Sequence, residues 1–166
     1  LVDAAGGHAL VHRLDHDADA TRLHADDDAR SGQPDNALKL KQMIAAHHGV
    51  FIASPDYSAS VPPLLKNAID WVSRVRERGD PTYAAFKGRV FAIASASPEA
   101  NGGLPGLMAL RQILEVGCGA LVIPEQVAVA RADQAFDDMD KITDTRTANL
   151  FHAELARLVE MVRLVA

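Results

Sequence analysis

Apolar and polar positions along the chain alternate between two periods, and the switches between them outline the elements. From Asn36 to His48, "NALKLKQMIAAHH" puts Leu38, Ile44 and Ala45 on one face and predicts a helix, with Gly49 in the position that closes it. "GVFIAS" (Gly49 to Ser54) follows as a short, continuous apolar run, the pattern of a parallel strand covered on both faces. Leu64, Leu65, Ala68, Ile69, Val72 and Val75 then recur at helical spacing while Lys66, Asn67, Asp70 and Arg74 face away. Pro62 and Pro63 suit the first turn of that helix, where an N–H has no partner in any case. The unit repeats. "RVFAIASA" (Arg89 to Ala96) predicts a strand, "SPEANGG" a polar loop, and Leu104 to Val116 a helix ended by Gly117 and Gly119. "ALVIP" (Ala120 to Pro124) predicts another strand. Thr145 to Val165 predicts a long helix with Leu150, Leu155, Leu158, Val159 and Val162 on its apolar side.

Upstream, "HALVHRLD" (His8 to Asp15) reads as a strand, and Thr21 to Asp35 as a solvated connection rich in Asp. Strand and helix alternate throughout, so the expected class is α/β: a parallel sheet with right-handed crossovers in one domain spanning 1–166. In such sheets ligands bind beyond the carboxyl ends of the strands. Two loops leave those ends, "SPDYSASVP" (Ser54 to Pro62) and "SASPEANGG" (Ser95 to Gly103). Both are rich in Ser, Pro and Gly and short of bulky charge. They can offer backbone groups to a planar polar ligand, with Tyr57 free to touch a ring face. Ordinary turns have the same composition.

Composition narrows the partners. A formal net charge of −5 argues against a nucleic-acid surface, since phosphate backbones are held by clustered Lys and Arg. A small-molecule or protein partner is expected instead. The single cysteine, Cys118, cannot close an internal disulfide and suits a reducing, cytoplasmic compartment. It lies between glycines with no flanking cation, which predicts an inert thiol. No run reaches the eighteen or so apolar residues of a membrane span, so no membrane partner is expected. Asp15, Asp17, Asp19 and Asp26 match four positions of a calcium loop, but Ala20 stands where glycine is required and no Glu closes it. His47 and His48 are adjacent and point apart on a helix, so no metal site is expected there. Trp71 reads as core or subunit interface, and Asp70 with Arg74 as an exposed i, i+4 pair.

The stretch "SPDYSASVPPLLKNAIDWVSR" (Ser54 to Arg74) closely resembles the NADPH-dependent FMN reductase family, whose pattern is approximately T-P-E-Y-N-x-S-x-P-x-x-L-K-N-A-[IL]-D-W-x-S-R. Pro55, Tyr57, Ser60, Pro62, Leu65, Lys66, Asn67, Ala68, Asp70, Trp71, Ser73 and Arg74 agree. "ASASPEANGG" and "LRQILEVGC" resemble the same family. The resemblance implies a flavodoxin-like three-layer fold with strand order 2-1-3-4-5, FMN at the carboxyl edge of the sheet, and use of NAD(P)H to reduce flavins, quinones or similar small-molecule acceptors. It also implies a homodimer or homotetramer. Carried over residue by residue, Pro55, Asp56, Tyr57, Ser58 and Ser60 would line the isoalloxazine ring, and Ser97, Asn101, Gly102 and Gly103 would close its other side. The two glycines would let backbone approach the ring without a Cβ in the way. Asp56 replaces the usual Glu and Ser58 the usual Asn. The family's opening strand and its G-S-x-R-x-x-S-x-N phosphate loop have no counterpart in the text, and "LVDAAGG" (Leu1 to Gly7) resembles the tail of the helix that follows that loop. The expectation is therefore a chain lacking strand 1. Because the flavin carries the hydride chemistry, no catalytic acid or base is assigned. The rival readings are a flavodoxin-type electron carrier and a flavin-free association module.

Overall fold

The computed structural model describes residues 32–165. "HALVHRLD", the calcium-loop resemblance and the expectation about strand 1 all lie outside the described residues. In chain order the elements are α1 (Asp35–Ala45), β1 (Gly49–Pro55), α2 (Pro63–Arg74), β2 (Val90–Ser97), α3 (Leu104–Gln112), β3 (Leu121–Ala130) and α4 (Thr145–Val165). The last turn of α3 widens into a π-helix, Ile113–Gly117. The three strands pair in the order β1-β2-β3, all parallel. Each strand reaches the next through a helix, the crossover that parallel pairing requires.

Alternation along the strands divides the core into two layers. Val50, Phe91, Ile93 and Val122 face one way and pack with Ile69 and Val72 of α2 and Leu107, Leu110 and Leu114 of α3 and its π turn. Val90, Ala92 and Ile123 face the other way, beneath Leu158 and Val162 of α4. Farther along that second face, Ala94, Val127 and Val129 meet Phe151, whose ring stands edge-on to Phe51 with centroids 5.5 Å apart. Phe91 and Ile93 expose nothing to solvent. At this depth each contributes about 2 to 3 kcal/mol.

Three sequence expectations change. First, α1 ends at Ala45, three residues short of His48. Arg89 reaches back to its carboxyl end, Nε donating to Ile44 O at 2.9 Å and Nη2 to Ala45 O at 2.7 Å. Gly49 therefore opens β1 rather than closing the helix. Glycine is needed there because a Cβ would stand 2.7 Å from Val162 Cγ2 of α4. Second, β3 does not stop at Pro124 but runs on to Ala130. The ladder with β2 slips at that point, from Phe91 opposite Val122 to Ile93 opposite Gln126. A proline has no N–H for the ladder, and a bulge is where a sheet accommodates one. Third, Asp70 pairs with Lys66 one turn earlier, both carboxylate oxygens accepting from Nζ at 2.7 and 2.8 Å, not with Arg74.

Trp71 belongs to the core: it is 4% exposed and packs with Ala37 and Leu38 of α1 and with Val75. Lys41 of α1 is also buried, and its ammonium donates to Glu77 at 2.6 Å and to Asp80. Burial opposes the charge on Lys41, but the two carboxylates outweigh it and raise its pKa. Asp80 is correspondingly held below the usual carboxylate range, first by Lys41 and then by the Glu77 N–H. This clasp fixes α1 to the chain that leaves α2.

Candidate functional site

The carboxyl ends of β1 and β2 lie side by side, with Pro55 opposite Ala96 in the ladder, so the loops that follow them emerge as neighbours. The first loop is a tight reversal. Tyr57 N donates to Ser60 O at 2.9 Å and Ser60 N to Tyr57 O at 3.1 Å, with Ser58 and Ala59 between them. Both have positive φ, 52° and 61°. Two consecutive side-chain-bearing residues in the left-handed region cost about 1 to 2 kcal/mol each, and such strain collects at ligand-binding sites. The reversal leaves Tyr57 half exposed and Ser58 and Ser60 open to solvent.

The second loop is drawn in. Ser97 Oγ accepts from Glu99 N at 3.3 Å, Asn101 Oδ1 accepts from Gly103 N at 3.0 Å, and Ser95 Oγ donates to Gly102 O at 2.6 Å. Gly102 and Gly103 have φ of 63° and 84°. A Cβ on Gly102 would stand 2.7 Å from the Ala128 carbonyl carbon, and one on Gly103 would stand 3.0 Å from Asp56 Cβ and from Ser95 Oγ. Glycine is thus demanded by the close approach of β3 and of the first loop, a different reason from the clearance for a ring expected from the sequence. The loop after β3 joins the same edge: Ala132 N donates to Ser97 O at 3.0 Å and Arg131 N to Glu99 O at 3.3 Å.

Asp56 ties the first loop to the start of α3, the helix that the second loop feeds. Its Oδ1 accepts from Ala59 N at 2.8 Å within the first loop, and its Oδ2 accepts from Gly106 N at 3.0 Å in the first turn of α3. The nine predicted residues therefore fall into two sets. Tyr57, Ser58 and Ser60 present side chains outward, whereas Asp56, Ser97 and Asn101 spend theirs on holding the loops, with Pro55, Gly102 and Gly103 shaping the backbone. Sequence reasoning placed Ser95 in the second loop but gave its side chain no role, and it missed Gly106 as part of this edge. No local pattern signals Ser95, but a glycine in the first turn of a helix, "LPG", is itself a sign of close approach.

Elsewhere, Cys118 is buried and its thiol is pushed up to about 11, chiefly by burial and then by Asp70. That agrees with an inert thiol. Among the described residues no three His, Cys, Asp or Glu side chains gather as a metal site, and no helix is long and apolar enough to cross a membrane.

A family model described as NADPH-dependent FMN reductase matches residues 3–134. An NAD(P)H-dependent FMN reductase of Pseudomonas aeruginosa is 32% identical over 142 residues, covering 85% of this chain and 73% of its own. A quinone reductase of Escherichia coli K12 is 30% identical over 157 residues, covering 93% and 80%. Among solved structures, a flavoenzyme NAD(P)H:acceptor oxidoreductase of Paracoccus denitrificans superposes with a TM-score of 0.75 at 26% identity, over 98% of this chain and 85% of that one.

Proposed function

The chain belongs to the NADPH-dependent FMN reductase family, and from that premise we propose that its FMN ring lies on the carboxyl edge of β1 and β2. The three-layer α/β architecture is the flavodoxin-like one, and the protein is an NAD(P)H-dependent oxidoreductase. When bound, FMN supplies the two-electron chemistry between nicotinamide and acceptor. The chain supplies binding and orientation. Tyr57 offers an aromatic face beside the ring, and the Ser58 and Ser60 hydroxyls and the loop backbone offer hydrogen bonds to its polar edge. Ser97, Asn101, Gly102 and Gly103 keep the second loop at a fixed height beside it.

The observation that carries this reading is the outward set itself: a half-exposed tyrosine followed by two exposed serines on a strained reversal, at the strand ends where α/β sheets bind ligands. The donor set of hydroxyl, amide and aromatic face, with Asp56 turned to the protein's own N–H groups, suits a flat polar heterocycle. Quinones or flavins are the proposed acceptors. Leu104 and Met108, exposed one turn apart on α3, support self-association as a homodimer or homotetramer, and the cytoplasm is the proposed compartment for the single domain.

The test is NAD(P)H oxidation followed at 340 nm with FMN and a quinone, alongside a Tyr57→Ala variant. Turnover in the parent that falls in the variant is expected. No turnover above buffer with FMN demonstrably bound overturns the reductase assignment, and an unchanged variant removes Tyr57 from the site.

A further inference from the structure

Helix α3 begins without a cap of its own. Its first flanking residue is Gly103, which has no side chain, and Pro105 occupies the first turn. Helix N-termini leave N–H groups seeking acceptors and carry partial positive charge. Here the acceptor comes from fifty positions away, because Asp56 Oδ2 receives the Gly106 N–H. The other oxygen of the same carboxylate receives the Ala59 N–H at the strained reversal. Gly106 is held close enough that a Cβ there would stand 3.1 Å from Ser60 O and 3.2 Å from Asp56 Oδ2. One carboxylate thus fastens the first loop to the start of the helix that the second loop feeds.

We propose that Asp56 is a positioning residue for the flavin: by bonding both Ala59 and Gly106 it sets the spacing between the two loops, and with it the ring site, without touching the ring itself. This rests on the site placement proposed above. Hydrogen bonds to a carboxylate are roughly twice as strong as neutral ones, and two of them act here in one bridge. A spacing set this way affects whatever binds by its ring and leaves phosphate recognition alone. Loss of the bridge therefore weakens FMN and riboflavin by the same factor, about tenfold or more.

The experiment compares the protein with its Asp56→Ala, Asp56→Asn and Asp56→Glu variants. Amide exchange of Ala59 and Gly106 in the flavin-free protein reports the bridge directly. Fluorescence titration with FMN and with riboflavin reports the ring site, and visible circular dichroism of bound flavin reports its setting. In D56A both amides exchange at least about tenfold faster, both flavins weaken equally and the dichroism changes. D56E, which keeps both acceptor oxygens, recovers most of the affinity. If D56A does not fold, D56N, with a single acceptor oxygen, shows the same changes in lesser degree. Faster exchange with both affinities within about twofold of the parent, while FMN shifts the amide resonances of both loops in the parent, makes Asp56 merely structural and overturns the proposal. FMN-induced shifts in the parent that avoid both loops overturn the site placement on which it rests.

Discussion

Glu154 offers the sharpest quantitative test of the described structure. It sits on the sheet-facing side of α4, is 0% exposed, and neither carboxyl oxygen has a hydrogen-bond partner among the described residues. Burial lifts its pKa from the ordinary 4.5 to about 7, with Glu125 adding slightly, while the nearby Ile93 amide and Arg111 guanidinium pull the other way. An acid whose pKa is raised by folding costs nothing at low pH, where both states hold the proton. As pH climbs past 4.5 the unfolded chain ionises first, so stability drains away until the folded carboxyl also ionises near 7. The gap between 4.5 and about 7, at about 1.4 kcal/mol per pKa unit, is worth roughly 3 kcal/mol. Glu154→Gln removes this titration while keeping the shape. Urea denaturation at half-unit steps from pH 4.5 to 8.5 should therefore give nearly equal stabilities at the acid end. The variant should lead progressively through the window, by about 2 to 3 kcal/mol at pH 8. Parallel stability curves, separated by the same amount at every pH, would refute the reasoning, since the carboxyl would then be ionised in the fold throughout.

Other expectations follow from the same geometry. Gly102→Ala adds left-handed strain and a Cβ 2.7 Å from the Ala128 carbonyl carbon, so it should destabilise by about 2 to 4 kcal/mol in denaturant titration; a neutral result means the loop can lift off β3 freely. Ala59→Gly relieves a φ of 61° and should raise stability by about 1 kcal/mol, less the unfolded-state entropy that glycine adds. Lys41→Met removes the donor that Glu77 and Asp80 share and should cost about 1 to 2 kcal/mol near neutral pH. Because Asp80 is held low and Lys41 high, that clasp is complete at neutral pH. It weakens as pH falls through the Asp80 range or rises beyond that of Lys41, so the variant's deficit should shrink at both extremes of a pH-dependent melt.

Local patterning carried the architecture because a helix face or a buried strand is written into neighbouring residues. "GVFIAS" and "RVFAIASA" reappear as β1 and β2 within about a residue, and the apolar stripe from Leu64 to Val75 is the face that α2 turns inward. What stayed hidden depends on partners far along the chain. The bond from Gly106 to Asp56 spans fifty positions, so nothing local announced it. Nothing in its sequence neighbourhood marks Lys41 as buried and paired, because Glu77 and Asp80 are thirty-six and thirty-nine positions away. Pro124 looked like a terminator because a bulge is a property of two strands and not of one. The two loops at the carboxyl edge were legible in the sequence as neighbours, but not which of their residues face outward and which tie the loops down.

The slip in the β2–β3 ladder has a consequence for how this protein can change length. Without it Ile93 would lie opposite Pro124; with it Ile93 lies opposite Gln126, so β3 carries two additional residues there. Since strand side chains alternate, a surplus of two restores parity, and Val127 and Val129 still point toward Phe151 and α4 as Ile123 does toward Leu158. A surplus of one would have turned both valines toward the opposite layer and brought Ala128 and Ala130 around in their place. Arg111 braces the detour, donating to Ile123 O at 2.9 Å and to Gln126 Oε1 at 3.1 Å. The strand is thus a register that counts in twos: insertions or deletions at Pro124 and Glu125 are silent to the inner face when even and invert it when odd.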